Sequence, residues 1–178
     1  EYRKGVNSDS VAELTMALCI MLLRKIHTSM EGYRTNKWSK LPGRELSEIT
    51  IGIIGYGYVG KVVAQKFNTL NTGRILIHDI MNIDVPLPAE KVSEDYLLSE
   101  SDVVTFHVSM EKENKKFIND KLIEKMKPGA LIINTSRGEI VDEDALVNAI
   151  ESGKLSGAAL DVFSDEPNIN PRIQECNN

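Results

Sequence analysis

From residue 49 onward the chain alternates in blocks. Uninterrupted apolar runs at 49–54 (ITIGII), 74–79 (RILIHD), 102–108 (DVVTFHV), 130–135 (ALIINT) and 157–163 (GAALDVF) are separated by stretches in which apolar residues return at helical spacing, at about 58–70, 93–100, 119–127 and 142–152. A strand apolar on both sides needs cover on both faces, and a helix between successive strands imposes parallel connections. The pattern predicts an α/β domain with a doubly wound parallel sheet.

Ahead of this block, "NSDSVAEL" offers Ser10 as an N-cap with Glu13 three residues on, a capping-box spacing. It predicts a helix from there to about His27 or Met30. That long N-terminal helix is apolar on more than one face, so it needs partners on two sides. The next stretch, "EGYRTNKWSKLPGREL", reads as an irregular connection, and periodicity is lost after Phe163. The expected organisation is an N-terminal helix and loop (1–45), the α/β domain (46–163) and a return linker (164–178).

With 178 residues, 42% hydrophobic and 26% charged, the composition is that of an ordinary globular domain. The net charge of -5 argues against a nucleic-acid surface, which needs an excess of Lys and Arg on one face. The most apolar run, "MALCIMLL" (16–23), is too short to span a bilayer. Two cysteines far apart, Cys19 and Cys176, suggest no disulfide framework and fit a reducing compartment. A cytoplasmic protein without membrane or nucleic-acid partners is the expectation. No two histidines share a metal-ligand spacing.

Gly55, Gly57 and Gly60 form G-x-G-x-x-G directly after the first predicted strand and at the mouth of a helix. The first glycine permits a tight turn, the second lets backbone approach a pyrophosphate, and the third lets helix and strand pack closely. The helix N-terminus presents free N–H groups and partial positive charge to the phosphates. Asp79 ends the second strand, where a carboxylate accepts hydrogen bonds from an adenosine ribose and repels a 2′-phosphate. The combination predicts a Rossmann-type domain that takes NAD rather than NADP.

The block "INTSRGEIVDEDAL" follows the fourth predicted strand. In a doubly wound sheet the carboxyl ends of strands line the ligand crevice, so Arg137 falls on the edge that carries the glycine loop. Its planar guanidinium could grip a carboxylate at two points and polarise the adjacent carbonyl, or simply pair at the surface with Glu139 or Asp142. Asp161 and Glu166 follow the fifth predicted strand, as functional acids or as solvated loop acids. His107 ends the third predicted strand at the crevice edge and could touch a cofactor there.

Across nearly its whole length the chain resembles the D-isomer-specific 2-hydroxyacid dehydrogenases. The resemblance is carried by "VAELTMALCIMLLRKI", "TIGIIGYGYVG", "SDVVTFHV", "MKPGALIINTSRGEIVDEDALVNAI" and "LSGAALDVFSDEP". It implies that Tyr58 and Val59 lie on the pyrophosphate beside Gly55, Gly57 and Gly60, and that His107 and Val108 form part of the cofactor-facing rim. Thr135, Ser136 and Arg137 would stand on the nicotinamide side and Asp161 on its carboxamide. Arg137 would bind the carboxylate and carbonyl of a 2-hydroxy or 2-keto acid, and Glu166 would orient a catalytic histidine that moves the proton while hydride passes to or from NAD. It also implies a homodimer formed through the helix near Val11 to Ile26.

Two departures stand out. After "TFHV" the family has proline and then a Thr-Pro pair, where this chain has Ser109 and "MEKENKK". The family's "PH" histidine falls beyond Asn178, and of the three histidines present, His27 and His78 approach Arg137 in no simple arrangement. The expectation is a cofactor domain without its substrate domain, inactive alone. Within the same family, an NAD-responsive corepressor-like module is the other reading.

Overall fold

The computed structural model describes residues 5–86, 88–109 and 111–176. A six-stranded, all-parallel sheet is built from β1 (Thr50–Ile54), β2 (Arg74–His78), β3 (Glu90–Lys91), β4 (Val103–Phe106), β5 (Ala130–Asn134) and β6 (Leu155–Leu160) in the order β3-β2-β1-β4-β5-β6. The order reverses between β1 and β4, the switch point at which such sheets open a ligand crevice.

Side chains leave alternate faces of each strand. Ile51, Ile53, Ile75, Ile77, Val103 and Ile133 pack under α1 (Ser8–Leu23) and α3 (Tyr58–Thr69). Leu76, Val104, Phe106 and Ile132 pack on the other face under α4 (Glu94–Glu100), α5 (Asp120–Lys125) and α6 (Glu143–Glu151). Every one of these strand residues is at most 3% exposed, which is why the strands read as continuous apolar runs. The predicted starts of α4 and α5 turn out to be N-caps, Ser93 and Asn119, whose side chains accept first-turn N–H bonds.

The N-terminal helix differs from expectation. Ser10 is not its cap: α1 begins at Ser8, and the Ser10 hydroxyl donates to Asn7 O at 2.9 Å from inside the first turn. Nor does α1 run on, because Lys25 adopts φ 51 and a second helix, α2 (Ile26–Arg34), starts in a new direction. Part of the stretch expected to be irregular is therefore helical. Ala12, Thr15, Cys19 and Leu23 form the buried face of α1 against α3, β5 and β6, whereas α2 buries no residue and leaves Met30 and Tyr33 exposed.

The last strand is shifted: it spans Leu155–Leu160, so Asp161, Val162 and Phe163 lie in the loop beyond it. The tail also has more order than its pattern suggests. Asn170 caps a short helix, α7 (Pro171–Glu175), and Arg172 on it reaches Asp144, Asn148 and Glu151 of α6.

Candidate functional site

Register aligns the strand ends in one row. His78 pairs with Ile54, Ile54 with Phe106, Phe106 with Asn134 and Asn134 with Leu160. The residues that follow in each chain segment are Asp79, Gly55, His107, Thr135 and Asp161, each singled out from sequence. At about 4.8 Å per strand the row runs roughly 19 Å from Asp79 to Asp161. The glycine loop sits one strand from Asp79 and two strands from the Arg137 turn, on the same edge.

The glycine loop is fixed from three sides. Gly55 has φ +94 and a β-carbon there would stand 2.5 Å from His107 O, so no side chain fits. A β-carbon on Gly60 would lie 2.0 Å from Gly55 O. Gly55 N–H donates to His78 O at 2.9 Å and Tyr56 N–H to Asp79 Oδ2 at 2.6 Å. Gly57 is different: its φ is -76, open to any residue, and beyond its chain neighbours none of the described residues lies within 4 Å of a β-carbon built there. The space in front of Gly57 is filled by none of the described residues. It faces the N-terminus of α3, where no side chain caps the first N–H groups. A diphosphate fits this cradle, with donors and positive helix end already in place.

Asp79 thus does a job the motif did not announce. Its second oxygen accepts Met81 N–H at 2.8 Å, so one carboxylate ties the glycine loop to the segment after β2. Each carboxylate oxygen keeps a further lone pair. Tyr58 is 63% exposed, with its ring against the backbone of Gly5, and Val59 is half-buried on α3.

His107 is held at the switch point by its own N–H, which donates to Ile54 O at 2.8 Å. Its Nε2 lies 3.0 Å from the Thr105 hydroxyl, and its Nδ1 is buried without a partner among the described residues. Burial pushes its pKa down to about 4, so the ring is neutral near pH 7. Val108 beside it approaches the Gly55 position. In the divergent loop that follows, Asn114 Nδ2 donates to Ser109 O at 2.7 Å and Lys116 N–H to Glu139 O at 2.9 Å. Met110 in that loop lies outside the described residues.

At the far end of the row, Arg137 and Glu166 line one cavity of about 460 Å³ with Ser136, Gly138 and Phe163. Arg137 is exposed and makes no ion pair among the described residues; its Nη1 donates to Ser136 O. The surface pairing with Glu139 or Asp142 is not formed, since Asp142 pairs with Lys116 at 3.1 Å. The guanidinium is left with donors to spare in a cavity that Glu139, Asp165 and Glu166 also line. Glu166 Oε1 accepts Phe163 N–H at 2.9 Å. Asp161 is exposed, its N–H bonded to Asn134 O at 3.0 Å. The Thr135 hydroxyl turns inward to Thr15 Oγ1 at 3.0 Å, so its backbone, not its hydroxyl, is what reaches the rim.

Two residues that shape this end escaped the sequence reading. Asn134, 0% exposed, donates through Nδ2 to Arg137 O at 2.8 Å and accepts Ser136 N–H and Oγ–H at 3.0 and 2.8 Å. It folds the "NTSRG" turn around one buried amide. Gly138 lets that turn touch the next, because a β-carbon on it would stand 2.0 Å from the Phe163 carbonyl group. A polar residue closing an apolar strand was the available signal for Asn134; nothing local marked Gly138.

None of the histidines lines the Arg137 cavity. His78 Nδ1 lies 3.2 Å from Val92 O, and His27 lines a different cavity with Gly129 and Leu155, at the opposite end of β5 and β6.

Sheet order, the glycine cradle and the row of loop residues define a dinucleotide-binding domain of the doubly wound class. Comparison with known proteins narrows it: the family described as D-isomer specific 2-hydroxyacid dehydrogenase, NAD binding domain, matches residues 16–178. The chain belongs to that family, as its NAD-binding domain. It is 39% identical over 176 residues to a glyoxylate reductase of Thermofilum pendens, covering 93% of this chain and 52% of that protein. It is 39% identical over 165 residues to a hydroxypyruvate reductase of Thermotoga maritima, covering 92% and 54%. The crystal structure of a glyoxylate reductase from Paecilomyes thermophila superposes with a TM-score of 0.89 at 32% identity, over 98% of this chain and 54% of that one. That of D-lactate dehydrogenase from Aquifex aeolicus, complexed with NAD and lactic acid, gives 0.83 at 33% identity, over 94% and 55%. The chain thus spans about half the length of the relatives it matches.

Proposed function

We propose that this chain supplies the cofactor half and part of the substrate half of an NAD-dependent dehydrogenase that interconverts a D-2-hydroxy acid and its 2-keto acid. One observation carries the reading: Arg137, without an ion pair among the described residues, shares a cavity with Glu166, and with Glu139 and Asp165, at the end of the same strand row that begins with the glycine cradle and Asp79. When bound, NAD supplies or accepts hydride at nicotinamide C4.

Arg137 binds the substrate carboxylate with its spare N–H groups and draws electron density from the neighbouring carbonyl oxygen. This favours hydride arrival at the carbonyl carbon and disfavours loss of the substrate into water. Glu166 stands opposite, able to hold an imidazolium and so stabilise the protonated state of a proton donor. No described histidine reaches it. In this reading the proton carrier is the "PH" histidine of the family resemblance, which is none of the three histidines of this chain. Asp79, Gly55, Gly57, Tyr58, Val59 and Gly60 hold the adenosine and diphosphate, and His107, Val108, Thr135, Ser136 and Asp161 the nicotinamide end.

NAD is preferred over NADP because a 2′-phosphate would sit against the Asp79 carboxylate. The domain works as a homodimer through the helix near Val11 to Ile26 and the loop after it; exposed Ile26, Met30 and Tyr33 of α2 and Trp38 beyond it line one cavity there. Among the described residues no helix is long and apolar enough to cross a membrane, and Cys19 is buried on the core face of α1; a cytoplasmic location is part of the proposal.

Calorimetric titration with NAD and NADP tests the cofactor half, and Arg137→Gln in the whole protein tests the substrate half. The expected results are NAD bound at least about tenfold tighter than NADP, and kcat/KM for a 2-keto acid lowered by about a hundredfold or more in the variant with NAD affinity kept. Equal affinity for both cofactors, or an Arg137→Gln variant as active as the parent, would overturn the respective half.

A further inference from the structure

Glu143, the first residue of α6, is a charged side chain that no motif assigned, and it is only 8% exposed. A buried carboxylate is costly unless bonds and a favourable field offset its lost hydration. Here the positive end of α6 supplies the field. The bond goes not to the helix but across to the next loop: Oε1 accepts Ser164 N–H at 2.9 Å.

That amide adjoins the one Glu166 uses. Glu166 Oε1 accepts Phe163 N–H and Glu143 Oε1 accepts Ser164 N–H, each at 2.9 Å, so two carboxylates hold successive N–H groups of one turn. On the Phe163 side the turn rests against Gly138, next to Arg137. On the Ser164 side lies open space, a cavity of about 310 Å³ that Glu143 lines together with Lys115, Lys116 and Asn170. The turn is a wall between that cavity and the one shared by Arg137 and Glu166. Without the Glu143 bond, Ser164 can fall back into the rear cavity and take Glu166 away from Arg137.

We propose that Glu143 is a positioning residue for the active site, fixing the Glu166 carboxylate opposite Arg137 through the Ser164 amide. This rests on the reading of Arg137 and Glu166 as the substrate-side pair.

The test uses Glu143→Ala, Glu143→Asp and Glu143→Gln. Aspartate keeps the charge but withdraws the acceptor by one methylene; glutamine keeps a carbonyl oxygen at the same reach. Amide exchange of Phe163 and Ser164 in this chain, read by NMR, should quicken about tenfold or more in the alanine and aspartate variants and stay near the parent in the glutamine variant. In the whole protein, kcat for a 2-keto acid should fall about tenfold to a hundredfold in the same two variants and be rescued by glutamine, with NAD affinity within about twofold throughout. Unchanged exchange, an unchanged kcat, a glutamine variant as impaired as alanine, or failure of both alanine and aspartate variants to fold overturns the proposal. If the parent itself neither binds NAD nor reduces a 2-keto acid, the functional reading fails instead, and the exchange measurements still judge the tether.

Discussion

The two glycines at the mouth of α3 should respond to the same methyl group in opposite ways. At Gly60 the added carbon would meet Gly55 O at 2.0 Å and Ile53 Cγ2 at 3.6 Å. Helix and loop would have to part by more than about 1 Å to restore ordinary contact, and overpacking of a rigid site costs about 1–3 kcal/mol or more. For a domain of this size that lowers Tm by roughly 2–12 °C. At Gly57 the same carbon meets nothing within 4 Å, and the backbone is in a region any residue adopts. Alanine there should change stability by no more than about 1 kcal/mol, the difference between glycine and alanine at an N-cap. It should nonetheless weaken NAD about tenfold to a hundredfold, because the methyl takes the volume of a diphosphate oxygen beside the N–H groups of α3. Differential scanning calorimetry and calorimetric titration of both variants decide the matter. A Gly57→Ala protein that binds NAD like the parent would refute the cradle; a Gly60→Ala protein that melts with the parent would refute the packing argument.

Two acid-sensitive groups should lose stability in separate pH windows. The folded pKa of His107, about 4, lies below the unfolded value near 6.5, so the unfolded chain binds the proton first. Stability should therefore decline as pH falls from about 6.5 to 4, by up to roughly 3 kcal/mol, and urea midpoints of His107→Gln should lack that slope. At the opposite edge of the sheet, burial raises the Asp102 pKa, but hydrogen bonds from Arg44, Thr50 N–H and Lys127 outweigh it and hold the pKa below its ordinary value. Its contribution is complete above the unfolded carboxyl range and lost as pH drops through the lower folded pKa. Asp102→Ala should cost about 2 kcal/mol at pH 7, mainly through the unpaired Thr50 N–H, because Arg44 and Lys127 are 49% and 45% exposed and their pairing is solvent-screened; a change below about 0.5 kcal/mol in urea melts would count against that anchor.

By itself the sequence determined most of the sheet. Strands buried on both faces leave continuous apolar runs, and five of the six are visible at 49–54, 74–79, 102–108, 130–135 and 157–163. The glycine loop, Asp79 and the "SRG" arginine were legible for a related reason, since each depends on spacing within one strand–turn–helix unit. Missed was β3, Glu90–Lys91, a polar two-residue edge strand with no face to bury. The break at Lys25 was hidden too, because "LLRKIHTS" is compatible with helix throughout and only the packing of Leu23 and the turn back of Arg44 N–H onto Leu23 O end α1 there. Tertiary structure alone decided what the polar side chains do: Asp79 holding Tyr56, Thr15 meeting Thr135, and Glu143 reaching Ser164 across 21 residues of chain. Periodicity records which positions are buried. A single bond between two distant turns leaves no period behind.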